Sequence, residues 1–154
     1  ELFSGERDLH VGLDIGAPVD TEVFAFADGV VFSKGINPEA GSYGPTIITE
    51  HNLPIPTAVG AMELGTAQKF WVLHGHLSTE SLEMVETGQA ITKGQTIAKI
   101  GNESENGGWP PHVHIQLSLV EPIGNDLPGV VKLSERDEAM KIYLDPRLII
   151  GQIY

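Results

Sequence analysis

Along most of the chain apolar residues alternate with polar ones over short runs, and Gly or Pro ends each run. That period of two is the signature of half-buried strands. "TEVFAFADGVVFSKG" (21–35) alternates, breaks at Asp28-Gly29 and alternates again, which predicts a hairpin. "GPTIITEH" (44–51) and "KFWVLHGHL" (69–77) predict the next strands, and the stretch 52–66 between them predicts a loop joining a pair. "AITKGQTIAKIG" (90–101) predicts strand–turn–strand, and "HVHIQLSLV" (112–120) a further strand. Helical signals are few. "STESLEMV" (78–85) has capping spacing for about one short helix. "SERDEAMKIYL" (134–144) starts with a cap at Ser134 and acids in its first turn, and Pro146 should stop it. The expectation is a mainly β, mostly antiparallel domain with one short C-terminal helix.

Composition narrows the picture. The 154 residues suit one domain, so 1–154 is expected to fold as a single unit. A hydrophobic share of 41% is enough for a core, and no apolar run is long enough to insert in a membrane. The net charge of −12 argues against nucleic acid as a partner, because a phosphate backbone attracts basic patches. No cysteine is present, which excludes disulfides, zinc–thiolate sites and thiol catalysis. The start "ELFSGERDLH" lacks a basic-then-apolar leader and begins with Glu, which fits a mature form or an excised domain.

The histidines are distributed unevenly. Four of the six stand in two pairs, "HGH" (74–76) and "HVH" (112–114). Residues two apart on a strand share a face, so His112 and His114 present two imidazoles together. His74 and His76 do the same unless Gly75 distorts the strand. "HVGLD" puts His10 and Asp14 at an even spacing, again on one face if extended. One Asp and up to five His can therefore converge. Imidazole and carboxylate suit zinc, copper, iron or nickel, and a catalytic zinc takes three protein ligands and leaves a position for water. His51 is expected at a strand end in a structural or exposed role, and His74 supports the site or joins it. Of Phe70 and Trp71, which alternate, one is expected in the core.

The order "HVGLD" (10–14), "GHLS" (75–78), "GQAITKGQTIAKIG" (88–101) and "PHVHIQL" (111–117) resembles the lysostaphin-type zinc metallopeptidases, which cleave peptide cross-links of bacterial cell walls. "APVDTEVFAFADGVV" (17–31) and "YLDPRLII" (143–150) extend the likeness over nearly the whole chain. The resemblance implies an antiparallel sheet or sandwich of the duplicated hybrid-motif type and one zinc per chain. It implies His10, Asp14 and His114 as zinc ligands, and His112 and His76 as the catalytic histidines. The implied reaction is hydrolysis of short peptide bonds, between Gly or D-Ala residues, by zinc-activated water. The implied partner is a peptide or a peptidoglycan stem.

Some features depart from the family's pattern. His74 stands where Tyr is usual, the 52–66 loop is long, and "GNESENGGWPPH" (101–112) replaces a short approach to the second His pair. The loops at 36–45, 52–66 and 102–111 are expected to wall the cleft. "ENGGWPPH" and "LPGVVKLSERD" resemble a variant embedded between kinase-like and aminotransferase domains, which implies flanking domains and a metal-binding, non-peptidase role. A cell-wall hydrolase would be extracellular or periplasmic, and the embedded variant cytoplasmic. A third reading, a zinc-free phosphocarrier on a similar β-sandwich, leaves the second His pair without a purpose. A lipoyl or biotinyl carrier, suggested by "GQAITKGQTIAKIG", lacks the flanking pattern around Lys34 or Lys93.

Overall fold

The computed structural model describes residues 9–151, so the extreme ends of the 1–154 unit lie outside the described residues. The strands are β1 (Leu9–His10), β2 (Leu13–Gly16), β3 (Glu22–Phe24), β4 (Gly29–Asn37), β5 (Gly44–Leu53) and β6 (Gln68–Gly75). Helix α1 (Ser81–Met84) is followed by β7 (Ala90–Ile91), β8 (Thr96–Lys99), β9 (His112–Ser118) and β10 (Val130–Val131). Helix α2 (Arg136–Ile142), β11 (Tyr143–Leu144) and helix α3 (Arg147–Ile150) complete the order. The main sheet runs β11-β9-β6-β5-β4-β7, with β2 beside β11 on the free side of β9, and every pairing is antiparallel. The mainly β, antiparallel expectation is borne out.

The strand signals were correct, but one pairing was not. No hairpin closes at Asp28-Gly29. β3 pairs with β8, and β4 pairs with β7 and β5. Each of the two strand–turn–strand segments thus sends one strand to each sheet, a crossed arrangement that matches the hybrid-motif expectation. Gly29 serves closeness rather than a turn, since a Cβ there would lie 2.5 Å from the Glu50 carbonyl oxygen. Asp28 joins the sheets, its carboxylate accepting from the Lys93 N–H and its carbonyl from His51 Nδ1.

The C-terminal helix also differs. Ser134 does not cap it. A 3-10 turn over Leu133–Glu135 precedes α2, and the Glu135 carboxylate accepts the Lys132 N–H. The helix ends at Ile142, because Tyr143 and Leu144 add to the edge of β9. Pro146 then opens a second helix rather than stopping the first. Proline suits the first turn, where no N–H is needed, and Asp145 accepts the Arg147 N–H there.

The larger core lies on one face of the main sheet and includes Ile47, Phe70, Val72, Val113, Ile115 and Leu117. The opposite face carries a smaller cluster of Tyr43, Ile48, Trp71, Leu73 and Leu127. Phe70 and Trp71 are therefore both buried, on opposite faces. Alternation along β9 sends Val113, Ile115 and Leu117 into the large core and His112, His114 and Gln116 to the other side.

His51 and His74 are buried and hydrogen-bonded: His51 Nδ1 donates to Asp28 O, its Nε2 pairs with Thr49 Oγ1, and His74 Nδ1 donates to Ile47 O. Burial holds His74 down to about 4, against the pull of the Ile47 carbonyl. The unfolded side chain titrates near 6.5. Its contribution to stability is thus complete above that pH and is lost as pH falls toward 4, to a total on the order of 3 kcal/mol. Urea unfolding at pH 7 and pH 4.5 should show wild-type protein losing more stability than His74→Gln. Equal losses in the two proteins would show that His74 does not carry the effect.

Candidate metal centre

The register of β9 assembles the site. Asp14 on β2 stands opposite His114, and Gly75 at the end of β6 flanks His114 on the other side. The Tyr43 ring occupies the room that Gly75 leaves, where a Cβ would lie 2.8 Å from Tyr43 Cδ1. His10 arrives differently from the expectation. A straight strand would hold residues four apart about 13 Å from each other, too far to share an ion. Instead the chain breaks at Gly12, whose φ of 112 is open to glycine. β1 then pairs with β10, while β2 turns onto β9. A Cβ on Gly12 would lie 2.7 Å from His114 Cε1, so the position needs glycine for space as well.

The result is a compact donor set. His114 Nδ1 is 2.8 Å from Asp14 Oδ1 and 3.2 Å from His10 Nε2, and His10 Nε2 is 3.4 Å from Asp14 Oδ1. Two ligands on a tetrahedral zinc with bonds of about 2.0–2.1 Å lie about 3.3 Å apart. The three residues therefore fit such an ion. His10 and Asp14 are half exposed and His114 is buried, so the site opens to solvent on one side. Burial alone would raise the Asp14 carboxyl, but the hydrogen bonds with His10 and His114 override it and hold Asp14 far below the usual carboxylate range. The same hydrogen bond raises His10, against burial.

Behind His114 lies a buried polar chain. Gln116 Nε2 donates to Pro128 O, which turns Gln116 Oε1 toward the imidazole. That oxygen accepts from Tyr43 OH at 3.1 Å and faces His114 Nε2 at 3.2 Å. With its proton on Nε2 and donated to Gln116, His114 offers a bare Nδ1 to a metal, and this outer partner fixes the ring.

His112 and His76 border the donor set. His112 Nε2 is 3.8 Å from Asp14 Oδ1, and the His76 and His112 ring centroids are 4.3 Å apart. His76 does not share a face with His74. The strand ends at Gly75, and His76 adopts a φ of 60, a left-handed backbone that costs a non-glycine residue about 1–2 kcal/mol. The cost is met by bonds from His76 N to Tyr43 O and from Gly101 N to His76 O. This kink swings His76 into the site and leaves His74 in the sheet. Burial lowers His76 to about 4, so it stands neutral at pH 7.

Of the five histidines expected to converge, His10, His76, His112 and His114 do so with Asp14, and His74 neither joins nor supports them. Of the expected walls, residues 102–111 lie against the site, with Asn106 O beside His76, and the 36–45 segment brings Tyr43 under it. The 52–66 loop does not wall the site: it joins the far ends of β5 and β6, about 20 Å along the strands from Gly75. Sequence reasoning missed Gln116, Tyr43 and Asn106. Gln116 was within reach, since it follows His112 and His114 at the same spacing of two. Tyr43 and Asn106 are brought in by tertiary contacts alone.

Residues 8–123 match the profile of peptidase family M23. The chain is 29% identical over 135 residues to the DD-carboxypeptidase/endopeptidase Mpg of Neisseria meningitidis, covering 85% of this chain and 26% of that protein. It is 28% identical over 132 residues to the peptidoglycan DD-endopeptidase ShyC of Vibrio cholerae, covering 86% and 25%. The chain thus spans about a quarter of the curated relatives it matches. A crystal structure of a zinc-containing peptidase from Vibrio cholerae is similar at 26% identity and a TM-score of 0.50, over 70% of this chain and 26% of that one. The ligand atoms of His10, Asp14 and His114 all lie within 4.8 Å of one another, a set that can hold a metal ion. With its lysostaphin-type motifs folded into one site, the chain belongs to peptidase family M23.

Proposed function

We propose that this chain carries the catalytic centre of a zinc-dependent endopeptidase that hydrolyses the peptide cross-links of peptidoglycan. His10, Asp14 and His114 hold one zinc per chain, and His76 and His112 handle protons. The observation that carries the reading is the joint geometry: three donors at tetrahedral spacing, with two further imidazoles at the open side. When bound, zinc supplies a Lewis acid for the carbonyl and lowers the pKa of a coordinated water to roughly 7.

The chain's own residues do the rest. His76 and His112 have Nδ1 hydrogen-bonded to the backbone carbonyls of Asn106 and Pro110, which leaves each Nε2 available on the site side. A neutral imidazole so placed accepts a proton at Nε2 from the attacking water, and once protonated it steadies negative charge on the carbonyl oxygen and passes the proton to the leaving amine. Asp14, kept ionised by its histidine partners, balances the positive charge of the centre. Support for the substrate comes from family membership and from relatives named as DD-endopeptidases, one of them a peptidoglycan DD-endopeptidase. Small residues, Gly or D-Ala, at the scissile bond fit a site bordered by Trp109, whose ring lies 6.1 Å from that of His76. On this reading the chain works outside the cytoplasmic membrane, where its substrate lies.

Zinc-loaded protein incubated with cross-linked muropeptides and pentaglycine, followed by mass spectrometry, should release products of a single peptide-bond hydrolysis from at least one of them. If the metal is bound and neither substrate is cut, the non-peptidase reading of the site replaces this one.

A further inference from the structure

The segment between β8 and β9 reaches both proton-handling imidazoles. His76 Nδ1 lies 2.8 Å from Asn106 O, and His112 Nδ1 lies 2.7 Å from Pro110 O. A backbone carbonyl can only accept, so each Nδ1 must carry the proton. Both rings are therefore held in the Nδ1–H tautomer, with Nε2 bare, which is the minor form of a free histidine side chain in water.

The two carbonyls belong to one loop, and one side chain organises it. Asn106 is fully buried. Its Oδ1 accepts from the Gly108 and Trp109 N–H groups at 3.2 and 2.9 Å. Its Nδ2 donates to Trp109 O at 2.8 Å and to Gly101 O at 3.3 Å. A single amide thus ties the start of the loop at Gly101 to its end at Trp109, the residue before Pro110. Gly107 and Gly108, with φ of 95 and 90, let the chain wrap this closely around it.

We propose that Asn106 is a positioning residue that sets the tautomer of both His76 and His112 by fixing the two carbonyls that hold them. Its value for catalysis rests on the proposed role of those histidines, but the tautomers can be read without any substrate. Loss of the amide frees the Pro110 and Asn106 carbonyls to drift, and each ring can then turn or move its proton to Nε2. A ring so changed meets the reacting atoms with N–H where a lone pair is needed.

The test is long-range proton–nitrogen NMR on zinc-loaded protein with 15N-labelled histidine. In the wild type, His76 and His112 should both give the Nδ1–H pattern. In Asn106→Ala both should move toward the Nε2–H pattern or a mixture, with zinc content unchanged. The kcat on whichever muropeptide the wild type cleaves should fall about 10²-fold, with KM little changed, as for a misplacement of about 1 Å. Asn106→Asp gives a second variant if alanine prevents folding: it keeps the two accepted bonds and loses the two donated ones, so it should show the same NMR change. A folded variant whose imidazoles keep the wild-type pattern, or a wild type already in the Nε2–H form, overturns the inference. A protein that shows the change on substitution but cleaves nothing leaves it standing and counts against the peptidase reading instead.

Discussion

Asp14→Ala should empty the metal site. Asp14 is the sole carboxylate of the donor set, and one of its oxygens lies 2.8 Å from His114 and 3.4 Å from His10. Without it the two imidazoles lose the charge that balances a divalent cation and the donor that completes the tetrahedral face. Deleting an outer partner of a ligand typically costs about 10–100-fold in metal affinity. Deleting a ligand must cost more, so zinc affinity should fall by over ~10²-fold. His114→Ala should behave alike, since it removes the buried donor that the Gln116 chain orients. Competition against a chelator of known affinity measures both. Wild-type affinity in Asp14→Ala would remove this residue from the ligand set.

His76→Ala and His112→Ala should separate catalysis from binding. Both rings border the donor set without belonging to it, and His112 Nε2 approaches Asp14 only to 3.8 Å. Each variant should keep one zinc and lose about two to four orders of magnitude in kcat, the usual cost of an acid–base or oxyanion group. The double variant should be little worse than either single one, because groups that act as a unit are not additive. If His112→Ala releases the metal, His112 is a ligand and the division of labour within "HVH" is reversed.

These expectations show where sequence patterns carry physical information. "HVHIQL" was legible because a strand's period of two is set by local backbone geometry, and β9 is an ordinary strand. The convergence of His10 with Asp14 was reached by the wrong route: an extended "HVGLD" would have kept them apart, and the Gly12 break brings them together. His74 and His76 illustrate the reverse case, where a regular spacing is undone by one left-handed residue. Asp28-Gly29 carries a strong hairpin signal, yet the glycine answers to the Glu50 carbonyl of another strand. Such a demand comes from tertiary packing and leaves no local trace. The same holds for Asn106, whose four hydrogen bonds appear only once the loop is folded.

Titrating metal-free protein with zinc, while following both bound metal and cleavage of a cross-linked muropeptide, asks whether one metal held by His10, Asp14 and His114 enables peptide hydrolysis. Activity should rise in proportion to bound zinc and reach its plateau at one ion per chain. Full activity in the metal-free protein, or a plateau that requires two ions per chain, would rule this out.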